Sequence, residues 1–217
     1  LWALQNGQRV VISTNTINLQ DQLINKDIPD LCQALDLDLR AVVLKGRSNY
    51  LCPRRLEAFL KRGPQTADEL RVLAKVLVWL STSQTGDRAE INLNGPVERN
   101  IWLRLSAEDD DCTGDTCVRR MGGICPFYRA RQAALGAHLL IVNHALLLSD
   151  VAANHRVLPD YRYLILDEAH HLEDATTNAL SFHVTLGDIE RLLRSAGGPS
   201  SGVLGWLLSA LTGHLHP

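Results

Sequence analysis

Short apolar runs that stop abruptly at polar clusters alternate along this chain with stretches in which apolar residues return every three or four positions. Arg9 to Ser13 (RVVIS) is a β-branched run closed by the polar turn Thr14-Asn15-Thr16, and Ile17, Leu19, Leu23 and Ile24 then follow a helical period. Arg40 to Leu44, Leu139 to Val142 and Tyr163 to Leu166 repeat the pattern, each ending in polar or charged residues. Unbroken apolar strands with polar carboxyl ends predict buried strands in a parallel α/β sheet, whose active crevice lies outside those ends. Leu1 to Asn6 reads as a helical turn stopped by Gly7.

Between the second and third strands lies an insertion far longer than an ordinary crossover. Thr66 and Glu69 form a capping box in front of a helix predicted over Ala67 to Leu80, with Leu70, Leu73, Leu77 and Leu80 on its core-packing face. Beyond His171 the pattern turns helical again, broken at Gly197-Gly198-Pro199 and resumed from Val203 to Leu211. The pattern divides the chain at 1–44, 45–135, 136–175 and 176–217.

Composition changes this picture little. Of 217 residues 46% are hydrophobic and 21% charged, and no apolar run is long enough to span a bilayer, so a membrane protein is excluded. A net charge of −2 excludes a global positive field, so nucleic-acid contact has to come from local patches. One patch holds Arg40, Lys45, Arg47, Arg54, Arg55, Lys61 and Arg62 against Glu57 alone; another holds Arg119, Arg120, Arg129 and Arg131 with Phe127 and Tyr128, rings able to stack on bases. Any single arginine among these is as well explained by a solvated face, and the clustering is what points to phosphates. The one methionine is Met121, and the opening residues lack a signal sequence, so the chain is expected to be an internal piece of a longer protein in reducing cytoplasm.

Two constellations carry chemistry. Asp167-Glu168-Ala169-His170 directly follows an apolar strand, where one carboxylate can hold magnesium and a second can accept the proton of an attacking water. The same residues also suit a helix cap. Cys52, Cys112, Cys117 and Cys125 flank the insertion, and their loose spacing leaves an iron–sulfur cluster, structural zinc and unligated thiols open. Cys32 reads as a buried apolar side chain and His144 as a hydrogen-bonded structural residue.

Ser13-Thr14-Asn15-Thr16 with Leu19, Gln20 and Gln22, the segment from Lys45 to Cys52, Asn143 to Leu147, and Asp167 to His171 together resemble the XPD/DinG-like branch of the DEAH-type superfamily two DNA helicases. The resemblance implies part of a RecA-like first motor domain, bearing a helical cluster insertion and the start of an Arch. It implies ATP and magnesium at Asp167, Glu168 and His170, and a [4Fe–4S] cluster on Cys52, Cys112, Cys117 and Cys125 that supports strand separation. Single-stranded or forked DNA would be held by Thr14, Asn15, Thr16, Gln20, Lys45, Arg47, Arg54, Arg119 and Tyr128, with translocation five-prime to three-prime by a monomer. No GxxxxGK[ST] loop occurs, so this chain alone is not expected to hydrolyse ATP. Two other readings stay open: a zinc module that binds nucleic acid without hydrolysis, and the helicase-like region of an exonuclease-coupled protein.

Overall fold

In the computed structural model the described residues are 1–108, 117, 125–181, 184, 189, 193, 196–198 and 202–214. Cys112 and Arg119 lie outside them. The chain divides into a unit of Leu1–Ala179 and a second of Leu180–Pro217.

The first unit is built on strands β1 (Val10–Thr14), β2 (Ala41–Val43), β3 (Leu139–Asn143) and β4 (Tyr163–Leu166), all parallel, in the order β2-β3-β1-β4. This is the α/β architecture of a RecA-like domain. All four predicted strands form, because each is a β-branched or aliphatic run bounded by turn residues. Helix α1 (Trp2–Asn6) precedes β1 and ends at Gly7, whose φ of 59° is the left-handed cap a glycine accepts without strain. Val11, Leu44, Leu140, Val142, Leu146 and Leu147 make the sheet's core.

Three sequence expectations are corrected here. First, the apolar period after Thr16 is not one helix: α2 (Ile17–Gln22) runs into a π-turn over Leu23–Asp27 and then α3 (Ile28–Leu35). Pro29 has no N–H to return to the preceding turn, so the ladder widens before it and the Ile28 N–H bonds Leu23 O. Cys32 on α3 is only half-buried, between exposed Leu31 and Leu35. Second, β4 is not buried: Leu164, Ile165 and Leu166 are exposed, since this strand pairs with β1 alone at the sheet's edge. Third, the helix over Ala67–Leu80 forms with Leu73 and Leu80 of the expected face against the core, but Leu70 and Leu77 outside it.

The insertion carries its own core. Helix α4 (Pro53–Arg62), α5 (Ala67–Leu80) and α6 (Gly95–Leu105) bury Leu56, Phe59, Val72, Val76, Trp79 and Trp102, and the last two indoles meet edge to face at 5.9 Å. Leu70 and Leu77 point outward, and Val72, Leu73, Val76 and Trp79 face the core. The Thr66 hydroxyl caps the Glu69 N–H at 3.1 Å as expected. The Glu69 carboxylate, however, accepts from the Gln65 N–H at 2.8 Å and from Arg62 and Arg104, each at 2.7 Å.

The Gln65 N–H, with the two guanidiniums, holds the Glu69 carboxyl down at about 2 against an ordinary 4.5. A carboxyl depressed by folding contributes stability that is complete above its unfolded value and is lost as pH falls through the folded one. Glu69→Gln is therefore expected to lower the melting temperature at pH 7 by roughly 5 °C, with Arg62 and Arg104 half exposed and the attraction screened accordingly. The gap to the parent chain should close between pH 4.5 and about 2 in thermal melts followed by circular dichroism. A gap independent of pH would assign Glu69 a packing role instead.

From the insertion the chain returns through α7 (Pro126–Leu135) to β3, then α8 (His144–Ala152) and, after β4, a 3-10 turn (Ala169–His171) and α9 (Leu172–Leu180). In the second unit α10 (Gly202–His214) exposes Val203, Leu204, Trp206, Leu207, Leu208 and Leu211. Among the described residues no helix is long and apolar enough to cross a membrane.

Candidate nucleotide and nucleic-acid site

The carboxyl ends of β1, β3 and β4 lie side by side, with Ser13 in register with Val142 on one flank and Leu166 on the other. The next residues, Thr14, Asn143 and Asp167, therefore lie at the same end of the sheet, Thr14 buried and Asp167 exposed. Asp167 follows β4 and its N–H donates to Ser13 O at 2.9 Å, which continues the ladder one step past the strand. Glu168 then adopts φ 54° and ψ 41°, a left-handed conformation costing a non-glycine residue about 1 kcal/mol or more. That turn breaks the strand direction at once, and the His171 N–H closes it on Glu168 O at 3.0 Å.

Asp167 and Glu168 are exposed at this end of the sheet, and His170 Nε2 stands 3.4 Å from Glu168 Oε2. Glu168, His170 and His171 can bring ligand atoms within 4.8 Å of one another. The acidic turn is thus exposed and fixed to β1 by a backbone hydrogen bond.

The loop after β1 is positioned by its own polar atoms. Thr16 caps α2, its hydroxyl accepting from the Leu19 N–H at 3.3 Å, and Thr14 Oγ1 bonds Thr16 O at 3.2 Å. Thr14 and Gln20 are fully buried, whereas Thr16 is exposed and Asn15 half-exposed. Both polar atoms of the Gln20 amide are buried without a partner among the described residues.

Lys45 sits deeper than a surface phosphate ligand. It is 5% exposed, and its ammonium pairs with Asp87 at 2.7 Å and Asp21 at 3.5 Å, tying the end of β2 to α2 and to the insertion. The Tyr50 hydroxyl accepts from the Lys45 N–H at 3.1 Å, and burial, with Asp87 nearby, pushes the Tyr50 phenol up to about 12. Arg47 is half-buried with its guanidinium over the Phe127 ring at 5.2 Å, Tyr128 packs edge-on against the same ring, and Arg54 is half-buried at the start of α4. Part of the basic patch is spent internally: Arg62 and Arg104 on Glu69, Lys61 on Glu57, and Arg129 on Gln84 O.

A groove of about 390 Å³ that pattern reading missed begins at Ile17 and Asn18, directly beyond Thr16, and runs against the insertion. Asn49, Arg88, Asn92 and Arg99 line it. Arg88 and Arg99 lie singly among neutral or acidic neighbours in sequence, and only the folding of the insertion onto α2 places them beside the loop.

Three of the four cysteines named for metal converge. Cys52, Cys117 and Cys125 are 1%, 4% and 2% exposed in one cluster with Tyr50, Ala107 and Phe127, between the sheet core and the insertion core. Cys52 is held by its N–H to Leu105 O at 2.8 Å, and Leu51 by its N–H to Gly86 O at 3.0 Å. Gly86, at φ 69°, lies so close to Pro126 that an added Cβ would come within 2.5 Å of the ring, and this contact brings the insertion against Cys125. Cys52 and Cys125 each stand immediately before a helix that opens on a proline.

The DEAD_2 family model matches residues 116–189. Over 198 residues the chain is 35% identical to a Bacillus subtilis protein named 3'-5' exonuclease DinG, covering 91% of this chain and 21% of that one. It is 36% identical over 177 residues to the ATP-dependent DNA helicase YoaA of Haemophilus influenzae, covering 79% and 27%, and 36% identical over 203 residues to the ATP-dependent helicase DinG of Mycobacterium tuberculosis, covering 84% and 30%. The chain thus spans less than a third of these curated relatives.

Proposed function

We propose, from the premise that this chain is DinG-like, that it forms part of the first motor domain of a longer ATP-dependent DNA helicase. The observation that carries the reading is the acidic turn Asp167–Glu168, joined by one backbone hydrogen bond to the strand that ends in the Thr14–Thr16 loop. Asp167 would hold magnesium, Glu168 would accept the proton of the attacking water, and His170 would orient the Glu168 carboxylate. Magnesium, when bound, neutralises charge on the phosphate chain. The phosphate-cradling loop is supplied from outside these residues, so the chain alone is expected to be inactive.

Single-stranded or forked DNA would pass over Asn15 and Thr16 and into the Arg88–Arg99 groove, with Arg47, Arg54 and Tyr128 nearer the cysteines and Arg119, outside the described residues, as a further contact. In this reading Lys45 is an internal strut and Thr14 and Gln20 shape the loop from beneath. Cys52, Cys117 and Cys125, with Cys112, would hold a [4Fe–4S] cluster that ties the insertion to the sheet and stiffens a strand-separating wedge. Residues 176–217 would begin an Arch-like insertion. The exonuclease name of the Bacillus subtilis relative favours, as a second reading, a helicase-like region that feeds DNA to a nuclease.

The full-length protein is expected to show DNA-stimulated ATP hydrolysis, and to unwind a fork with a 5' tail and not one with a 3' tail. Absence of both activities, with degradation of 3' ends instead, would establish the second reading. Replacing Arg88 and Arg99 together by alanine is expected to weaken single-strand binding about tenfold regardless of base sequence, and to flatten the salt dependence by about 1.4 in slope. An unchanged slope would remove the groove from the DNA path.

A further inference from the structure

Ser13 is fully buried at the point where the three strand ends meet. Its carbonyl receives the Asp167 N–H, and the residue after it opens the Thr14–Thr16 loop. Its hydroxyl lies 2.7 Å from Nδ1 of His144, which is 1% exposed and opens α8. The residue before His144 is equally committed: Asn143 caps α8 by accepting from the Leu146 N–H at 2.9 Å, and pairs in register with Thr14. The second ring nitrogen of His144, Nε2, is buried without a partner among the described residues.

Packing alone does not call for this pair. An alanine and an aliphatic side chain would fill the space without burying a ring nitrogen that finds no hydrogen bond. What the pair adds is direction. It fixes the Ser13 side chain to the head of α8, so the end of β1 cannot shift without moving the carbonyl that holds Asp167.

We propose that Ser13 and His144 are a positioning couple that makes DNA engagement at the Thr14–Thr16 loop felt at the acidic turn. This rests on the reading of the chain as a helicase segment. Strand phosphates gripped beyond Thr14 pull on the end of β1; with Ser13 locked to His144, that pull reaches the Asp167 peptide and sets Asp167 and Glu168 for hydrolysis. Neither Ser13 nor His144 touches nucleotide or DNA.

The test is steady-state ATP hydrolysis by the full-length protein, with and without single-stranded DNA, for the parent and for Ser13→Ala, His144→Leu, His144→Asn and the Ser13→Ala/His144→Leu double variant. Ser13→Ala and His144→Leu are each expected to lower the DNA-stimulated kcat about tenfold, as the loss of one buried hydrogen bond would. KM for ATP and DNA affinity should stay within about twofold. The double variant should be no worse than either single one, because both break the same link. His144→Asn, whose amide reaches the position of Nδ1, should restore most of the stimulation.

Independent, multiplying losses, or KM and DNA affinity falling along with kcat, would assign the pair a merely structural role and overturn the proposal. So would equal losses in the leucine and asparagine variants. A parent protein that DNA does not stimulate overturns the helicase reading and this proposal together; stimulation that survives in every variant overturns this proposal alone.

Discussion

Glu168→Gln in the full-length protein is expected to cut ATP turnover by about a thousandfold while ATP still binds within about twofold of the parent affinity. The argument starts from the backbone. Glu168 stands at φ 54°, so its side chain leaves the sheet in a direction different from that of Asp167 one residue earlier. The two residues are therefore held differently at the strand end, Asp167 by its N–H on the Ser13 carbonyl and Glu168 with its carboxylate beside His170. Glutamine keeps the volume and the hydrogen-bonding reach of glutamate and removes its ability to accept a proton.

If Glu168 is the base, chemistry fails and binding does not, and ATP should accumulate on the enzyme together with bound DNA. Hydrolysis at the parent rate would remove Glu168 from that role and leave the turn as a cap. Asp167→Asn separates the neighbours: it should weaken magnesium-dependent nucleotide binding itself, which filter binding of labelled ATP at varied magnesium would read. A Glu168→Gln protein that loses affinity in the same proportion as rate would place Glu168 among the binding groups.

How much of this could be read from the residues alone depends on how local each signal is. Strands, their parallel pairing and the acidic turn were legible, because a run such as Tyr163 to Leu166 ending in Asp167 carries its own boundary. The helix at Ala67 was legible to the residue, since Thr66 and Glu69 mark its start. Its buried face was legible in part: Leu73 and Leu80 pack at the core as their spacing suggests, whereas Val72, Val76 and Trp79 take the places expected of Leu70 and Leu77. Lys45 was legible as a cation and illegible as a strut, because its partners Asp21 and Asp87 are remote in sequence on either side. Arg88 and Arg99 gave no signal, since a groove between two elements exists only after both have docked. In the cysteine constellation the residue type was visible and the convergence of Cys52, Cys117 and Cys125 required the fold.

That convergence sets up the second large effect. Cys117→Ser is expected to abolish the iron and sulfide that anaerobically purified chain should carry, at about four of each per chain in the parent. In the full-length protein it should reduce unwinding at least tenfold, while DNA-stimulated ATP hydrolysis stays within about threefold. The split follows from where the cysteines sit. Leu56, Phe59, Val72 and Trp102 give the insertion a core that does not depend on them, and Val11, Leu140 and Val142 do the same for the sheet. Cys52, Cys117 and Cys125 lie between these cores with Tyr50 and Phe127, so loss of ligation loosens the junction before it melts either part. The acidic turn and the Ser13 carbonyl belong to the sheet side, and hydrolysis should survive. Strand separation needs the insertion held rigidly against the moving strand, and should not. Stoichiometric zinc without iron in the parent chain would replace the cluster by a zinc module, and hydrolysis collapsing together with unwinding would make the cysteines a folding staple for the whole domain.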